Sequence, residues 1–389
     1  MTLTLGVNRF RTALRLPATL LSLALVACGG GGDGGEPPKP PSGGPGSFVY
    51  VANNINVTGT VSAFKIDTAT GALTPVSGSP FVAGANPNSI AVDPSGKFAY
   101  VANSASSSVS AYTIDAGTGA LGAVAGSPFF TQFGALARAV AVDPLGRFVY
   151  VANEISGPPP PGVNNVLAYT INAGNGALTK VGAALPSGAS PFSIAVDPGG
   201  KFVYVANSSS NDVSGYSIDA VTGMLTSVGP AVATGTTPFS ITVHPTGRFA
   251  YVANLGSNDV SAYSIDATTG VLAVMGPSLA AGASPRSIAV DPTGTFAYVA
   301  NAGSNDVSGF SIDATTGALT SLGAPVTAGS GPSAITVEPN GKFVYVANQG
   351  SNNISGYSIH ASTGILTSLG APIAAGTTPF SITSVRTNP

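Results

Sequence analysis

Aromatic and small apolar residues alternate in a six-residue segment, F-[VA]-Y-V-A-N, that the chain repeats seven times. Alternation with a period of two predicts a half-buried β-strand. The spacings between successive copies are 50, 50, 54, 47, 47 and 47 residues. A repeat of this length is typical of solenoids and propellers. The copies begin at Phe48, Phe98, Phe148, Phe202, Phe249, Phe296 and Phe343.

One repeat, Ser287–Gly323, predicts four strands, which we call A to D. Strand A (Ser287–Asp291) is joined by the turn D-P-T-G to strand B (Phe296–Asn301). G-S-N-D leads into strand C (Val307–Ile312), and D-A-T-T-G leads into strand D (Ala318–Leu322). Proline and glycine at these positions favour tight turns. Four antiparallel strands, followed by a long connection to the next strand A, predict a propeller blade rather than a solenoid coil.

The two ends of the repeat region predict how the ring closes. The region begins with a strand B at Phe48 and ends with Ser381–Val385, a strand A that has no strand B after it. This C-terminal strand is expected to join the N-terminal blade, which hides the sheet edges. The sequence therefore predicts an all-β fold, a seven-bladed β-propeller of four-stranded antiparallel blades over residues 47–389. A closed ring needs no partner for stability, so we expect a monomer.

The N-terminal segment predicts export and a lipid anchor. Residues 1–27 carry three arginines and no acidic residue before an apolar run, as in a secretory signal peptide. They lead into L-V-A-C, which resembles the bacterial lipobox and implies that Cys28 is the lipidated first residue of the mature protein. Gly29, rather than aspartate, follows, which by resemblance to Gram-negative lipoproteins implies the outer membrane. A plain signal peptide with an incidental cysteine is the alternative.

Residues 28–46 contain no apolar residue larger than proline, and they predict a flexible Gly/Pro linker between the anchor and the propeller. The lipid bilayer is then a partner through acylated Cys28. Because Cys28 is the only cysteine, no intramolecular disulfide is expected.

Composition excludes several classes of function. Apolar residues make up 44% of the chain and charged residues 8%, broken evenly by turn residues, which excludes disorder and membrane helices. Without the three arginines of the leader, the chain has 11 basic and 16 acidic residues and so a net negative charge. We therefore expect no nucleic-acid partner. The two histidines, His244 and His360, replace turn aspartates on the face opposite the variable loops. We therefore expect no metal site, and no motif implies a cofactor.

A longer consensus carries a family resemblance. The repeat reads Y-V-A-N-x-G-S-N-D-V-S-x-[YF]-S-I-D-A-T-T-G-A-L-T over nearly the whole chain after Gly46. It resembles the repeat of lactonase-type (6-phosphogluconolactonase-like) seven-bladed propellers and of the related Y-V-T-N repeat proteins. The resemblance implies the propeller fold but not an activity, because the fold hosts both hydrolases and proteins without known chemistry.

The residue just before each strand A varies from blade to blade. Because strand A is innermost, these seven positions are predicted to ring the channel entrance. Arg138 and Arg286 are three blades apart, about 150° around a seven-fold ring, so they are able to face each other. An anionic or polar ligand with an apolar portion suits such a mouth; variable surface is the alternative. The positions are Asn88, Arg138, Phe192, Phe239, Arg286, Ser333 and Phe380.

The third repeat carries two insertions on the same predicted face. Its connection into strand A contains Phe129, Phe130 and Phe133, and its loop after strand B runs through Pro158–Pro161. Long loops on a rigid scaffold commonly carry function. Glu154 in that second loop is the only carboxylate that directly follows a Y-V-A-N segment.

Arg138 and Glu154 also match part of a family pattern. Lactonase-type propellers show P-R-H before one strand and N-E after the next, with the arginine and glutamate sixteen residues apart, as they are here. The resemblance implies that Arg138 holds the substrate anion and Glu154 assists water. Ala137 and Ala139 replace the proline and the histidine, so half of the pattern is missing. An ion pair without chemistry is the alternative.

Two functions remain open from the sequence. The first, which we favour at this point, is a non-enzymatic, lipid-anchored envelope propeller that presents its loop face to a small ligand, a glycan or an envelope protein. The second is a lactonase-like hydrolase. In that enzyme Glu154 is the general base for water, and Arg138 and Arg286 orient an anionic lactone.

Overall fold

The computed structural model of the protein describes residues 46–155 and 164–387. The predicted leader, Cys28, most of the predicted linker and Pro158–Pro161 lie outside these residues. Gly46, at the end of that linker, already belongs to the propeller: its amide is 3.0 Å from the hydroxyl of Thr387. Among the described residues, no helix is long and apolar enough to cross a membrane.

Seven antiparallel sheets, one per blade, confirm the predicted seven-bladed propeller. Strands A of neighbouring blades contact one another around the channel. Blade 1 combines the two ends of the chain, since Phe48 pairs with Val385 and Asn53 pairs with Pro379. The predicted closure by the C-terminal strand is therefore confirmed.

The strands of the blades are best given by their position in the blade. Strand A spans Pro379–Arg386 in blade 1, then Pro87–Val92, Ala135–Val142, Pro191–Val196, Pro238–Val243, Pro285–Val290 and Pro332–Val337. Strand B spans Ser47–Asn53, Phe98–Asn103, Phe148–Ile155, Phe202–Asn207, Phe249–Asn254, Phe296–Asn301 and Phe343–Asn348. Strand C spans Thr60–Ile66, Ser108–Ile114, Asn165–Ile171, Asp212–Ile218, Asp259–Ile265, Asp306–Ile312 and Asn353–Ile359. Strand D spans Leu73–Pro75, Leu121–Ala123, Leu178–Pro186, Leu225–Ser227, Leu272–Val274, Leu319–Ser321 and Leu366–Ser368.

The outer edge of the blades differs from the prediction. Strand D is shorter than expected in six blades, and a two-residue strand after it continues the pairing with strand C. Blade 3 instead has one long strand D, interrupted by a register shift. The short outer strands are Phe81–Val82, Phe129–Phe130, Val232–Ala233, Leu279–Ala280, Val326–Thr327 and Ile373–Ala374.

The tyrosine of the repeated segment joins each blade to the next. The buried hydroxyl of Tyr251 donates to the carbonyl oxygen of Gly317, in the hairpin between strands C and D of the following blade, at 2.8 Å. Burial raises the pKa of Tyr251, so the phenol remains a proton donor. The same bond recurs in all seven blades, with Tyr345 closing onto Gly71 of blade 1.

The phenylalanine two residues earlier fixes the same hairpin. Gly317 has a φ of +72°, and a Cβ atom there would lie 2.5 Å from the ring of Phe249. Only glycine combines this backbone conformation with such a close approach. The phenylalanine and tyrosine of F-x-Y in one repeat and the glycine of D-x-x-T-G, or its equivalent, in the next repeat therefore form a single inter-blade contact, which we call the Tyr–Gly clamp.

The asparagine at the end of strand B acts within its own blade. The side-chain amide of Asn301 donates to Asp306 at 2.7 Å and to Ser308 at 2.9 Å, both on strand C. The asparagine therefore helps to hold strands B and C together.

Removing one clamp hydroxyl should destabilise the propeller. Tyr251→Phe leaves the buried carbonyl of Gly317 without its donor, so we expect a loss of about 1–2 kcal/mol in the free energy of unfolding. The control is Tyr169→Phe, because the buried hydroxyl of Tyr169 has no partner among the described residues. Its effect should lie within about 0.5 kcal/mol of zero. Urea unfolding followed by circular dichroism measures both; equal losses would contradict the role of the bond.

A methyl group at the clamp glycine should lower the free energy of unfolding by more than backbone strain alone would. Gly317→Ala combines left-handed strain with a clash against Phe249, and we expect a loss of about 3 kcal/mol. Gly134 has a similar φ of +76°, but nothing lies within 4 Å of the position that a Cβ atom would occupy there. Gly134→Ala should therefore cost only about 1 kcal/mol. A difference near zero in the same unfolding experiment would argue against the packing contact.

Candidate functional site

The seven variable positions at the channel are all β-bulges. In blade 6, Pro285 pairs with Asn301 and Ser287 pairs with Ala300, so Arg286 between them has no partner on strand B. Equivalent register shifts occur in the other six blades. A bulge redirects a side chain out of the regular alternation. The variable residue is therefore within strand A, whereas the sequence placed it just before the strand.

The bulges bring all seven side chains to one cavity of about 140 Å³, which we call the mouth. Asn88, Arg138, Phe192, Phe239, Arg286, Ser333 and Phe380 all line it. Its other lining residues are the seven that directly follow a bulge, together with Ile194 and Ile382. Glu154 is not among them, so the proposed carboxylate lies beside the mouth rather than in its wall.

Two arginines and two phenylalanines form a continuous arc over blades 3 to 6. The guanidinium of Arg138 lies 5.6 Å from the ring centre of Phe192, and that of Arg286 lies 5.6 Å from the ring centre of Phe239. The two rings are in contact, with centroids 3.7 Å apart and planes inclined by 33°. The third phenylalanine, Phe380, is 6.3 Å from Phe192 across the mouth. The arginines are thus held at the two ends of an aromatic pair.

The third blade builds an ion pair because it lacks a proline. The other blades begin strand A with proline, whose missing N–H group limits the ladder. Ala137 lets pairing continue, so that Leu136 pairs with Glu154. Glu154 therefore lies in an extended strand B, whereas the sequence predicted a loop. Its carboxylate is 2.6 Å from Nε of Arg138, and the hydroxyl of Ser190 donates to its other oxygen at 3.2 Å.

Arg286 differs from Arg138 because it has no acidic partner. Its Nη1 donates to the side-chain oxygen of Gln349 at 2.7 Å. Its Nε is buried without an acceptor, and no carboxylate lies within 4.0 Å among the described residues. Desolvation lowers the pKa of Arg286. The mouth therefore carries one neutralised arginine and one uncompensated cation, which favours an anionic group at Arg286.

The two uncharged polar residues at the bulges, Asn88 and Ser333, are hydrogen-bonded within the protein. The side-chain amide of Asn54 donates to the side-chain oxygen of Asn88. The hydroxyl of Ser333 donates to the carbonyl oxygen of Pro379 at 2.8 Å. Both residues are buried, so they shape the wall and leave Arg286 as the free charge.

The histidines lie in turns and not at the mouth. His244 is buried in the turn after strand A, with Nε2 2.8 Å from the carbonyl oxygen of Gly294 and Nδ1 2.7 Å from the hydroxyl of Thr246. His360 is exposed between strands C and D. In the part of the chain that the structure describes, no group of three or more potential metal ligands occurs.

Several contacts of the site were not visible in the sequence. Gln349 and Ser190 are not among the predicted site residues, although Gln349 occupies in blade 7 the slot that Glu154 occupies in blade 3. The signal in the sequence is Ala137, which stands where the other blades have proline and so allows the longer strand.

Comparison with known proteins gives a consistent family. The model of the family described as lactonase, 7-bladed beta-propeller, matches residues 44–134, 130–239, 234–331 and 324–384. No curated protein sequence matches the chain.

Solved structures share the fold at low identity. A Bacteroides uniformis protein described as a candidate 6-phosphogluconolactonase has 22% identity and a TM-score of 0.75, covering 88% of this chain and 99% of its own. A similar Bacteroides fragilis protein has 24% identity and a TM-score of 0.74, covering 87% and 98%. The periplasmic gluconolactonase of Pseudomonas aeruginosa has 20% identity and a TM-score of 0.72, covering 87% and 99%.

The two arginines should respond oppositely to removal of their charge. Arg286→Met deletes a desolvated, uncompensated cation, so we expect unfolding free energy to stay constant or rise by up to about 1 kcal/mol. Arg138→Met leaves the carboxylate of Glu154 without its partner and should lower the free energy of unfolding by about 1 kcal/mol. Urea unfolding of both variants tests this difference. A larger loss for Arg286→Met than for Arg138→Met would contradict it.

Proposed function

This chain belongs to the lactonase family of seven-bladed β-propellers, and we propose that it hydrolyses a lactone at the mouth. The observation that carries the proposal is the arc from Arg138 through Phe192 and Phe239 to Arg286. It combines two guanidinium groups with an apolar surface in one concave site, as binding of a small polar ring requires.

The charges of the arc favour an anionic lactone. Arg286 is the free cation and binds the anionic group of the substrate. The aromatic pair of Phe192 and Phe239 contacts the apolar face of the lactone ring. Arg138, held in place by Glu154, then lies near the lactone group. The mouth is open, so a substrate larger than its 140 Å³ extends outwards from it.

Glu154 is the general base of this proposal. It removes a proton from a water molecule while the water oxygen bonds to the carbonyl carbon of the lactone. The ring carbon–oxygen bond then breaks, and the ring oxygen receives the proton, which gives a hydroxy acid. The ion pair with Arg138 orients the carboxylate, and Ser190 fixes its second oxygen.

The location that we propose is the cell envelope, with Cys28 acylated and the propeller tethered to the outer membrane through residues 28–46. The leader and the lipobox-like L-V-A-C support this proposal. The Pseudomonas aeruginosa neighbour described as a periplasmic gluconolactonase supports a lactone substrate available outside the cytoplasm.

The second candidate is a non-enzymatic propeller that binds a ligand or partner at the same mouth. Two observations favour it: both oxygens of Glu154 are already engaged, and alanine stands at position 139 where the family pattern has histidine. Sequence alone led us to favour this function. Family membership now makes the hydrolase the better supported of the two.

A panel of lactones should separate the two functions. We expect the protein without its leader to hydrolyse an anionic sugar lactone, measured by pH-stat. Glu154→Gln and Arg138→Ala should each lower kcat/KM by about 100-fold or more. The control is Phe133→Ala, a fully exposed side chain outside the mouth, which should retain activity. Absence of turnover by the folded protein, together with ligand binding, would establish the second candidate.

A further inference from the structure

Serine hydroxyls link neighbouring strands A around the channel. The backbone amide of Ile241 donates to the hydroxyl of Ser193 in the preceding blade at 3.1 Å. The serine is the residue directly after the bulge. Five junctions have this bond, with distances of 3.1–3.3 Å: Ser381 with Ile90, Ser89 with Val140, Ser193 with Ile241, Ser240 with Ile288 and Ser287 with Ile335.

Two junctions lack the serine. Ala139 in blade 3 and Ala334 in blade 7 occupy its position, and neither has a hydroxyl to accept the next amide. The corresponding amides belong to Ile194 and Ile382. These two isoleucines line the mouth, whereas the five residues whose amides are bonded to serine do not. Replacing serine by alanine thus leaves an amide that faces the cavity without its usual acceptor.

Of the two amides, only that of Ile194 belongs to a junction that also contributes an arginine to the mouth. Ala139, which uncovers it, directly follows Arg138. Phe192, two residues before Ile194, carries the guanidinium of Arg138 over its ring. Ile382 instead lies two residues after Phe380, and Ser333 in the preceding blade already donates to Pro379. Of the two junctions, only that of blades 3 and 4 combines an uncovered amide with an arginine.

We propose that the backbone amide of Ile194 is a hydrogen-bond donor of the mouth for a carbonyl or carboxylate oxygen. Resting on the lactone hydrolysis proposed above, its role is to bind the lactone carbonyl oxygen. When the water oxygen bonds to the carbonyl carbon, the π electrons of the carbonyl move to that oxygen. They return when the ring carbon–oxygen bond breaks. A fixed amide beside a guanidinium stabilises the negative charge between these two steps.

The decisive variant restores the serine. Ala139→Ser supplies the hydroxyl that accepts the amide at the five other junctions, so the Ile194 donor becomes occupied. We expect kcat to fall by about 10- to 100-fold while KM changes by less than about threefold. Ala139→Cys adds a similar volume with a weak acceptor, so it should retain at least about fivefold more activity than Ala139→Ser. Ala334→Ser makes the same change at the junction of blades 7 and 1, which contributes no arginine, so it should lower kcat less than Ala139→Ser does.

A second readout does not depend on turnover. In protein labelled with ¹⁵N-isoleucine, sodium gluconate, an open-chain hydroxy acid, should shift the Ile194 amide resonance, and Ala139→Ser should abolish that shift. If gluconate shifts the Ile194 resonance but no lactone is hydrolysed, the role of the amide as a donor is supported and the proposed hydrolysis is overturned. If lactone is hydrolysed but gluconate does not shift the Ile194 resonance, the role of the amide as a donor is overturned and the proposed hydrolysis stands. The same conclusion follows if Ala139→Ser is as active as the wild type.

Discussion

The Tyr–Gly clamp is the interaction on which the rest of the structure depends. Each copy joins strand B of one blade to a hairpin of the next, so the aromatic residues and the glycine are constrained by a neighbouring repeat as well as by their own. A single buried hydrogen bond of this kind contributes only about 1 kcal/mol. Seven in a closed ring leave no blade with a free side, which explains why the segment recurs with so little change.

The bulge in strand A frees one position per blade from that constraint. Its side chain points to the channel and has no pairing partner on strand B, so its identity affects neither the ladder nor the clamp. The same backbone therefore presents Arg286 in one blade and Phe239 in the preceding one. A chain made of near-identical repeats acquires an asymmetric site in this way, without altering its scaffold.

The scaffold could be predicted from the sequence because its signals are local and repeated. Alternation indicated strand B, and D-P-T-G and D-A-T-T-G indicated the turns. The candidate site could be predicted only in part from the sequence, because its contacts join side chains from different blades. The sequence predicted a ring of variable positions, but the contact between Phe192 and Phe239 depends on the bulge geometry. Likewise, the strand that carries Glu154 depends on one absent proline at position 137.

Closure of blade 1 by the last strand has a consequence for the order of folding. Ser47–Asn53 is completely buried, yet its inner neighbour, Pro379–Arg386, is the last strand to be synthesised. The ring therefore cannot close until the whole chain is available, and contacts this distant in sequence form slowly. Until then the inner edge of Ser47–Asn53 stays unpaired and is open to pairing with a strand of another chain.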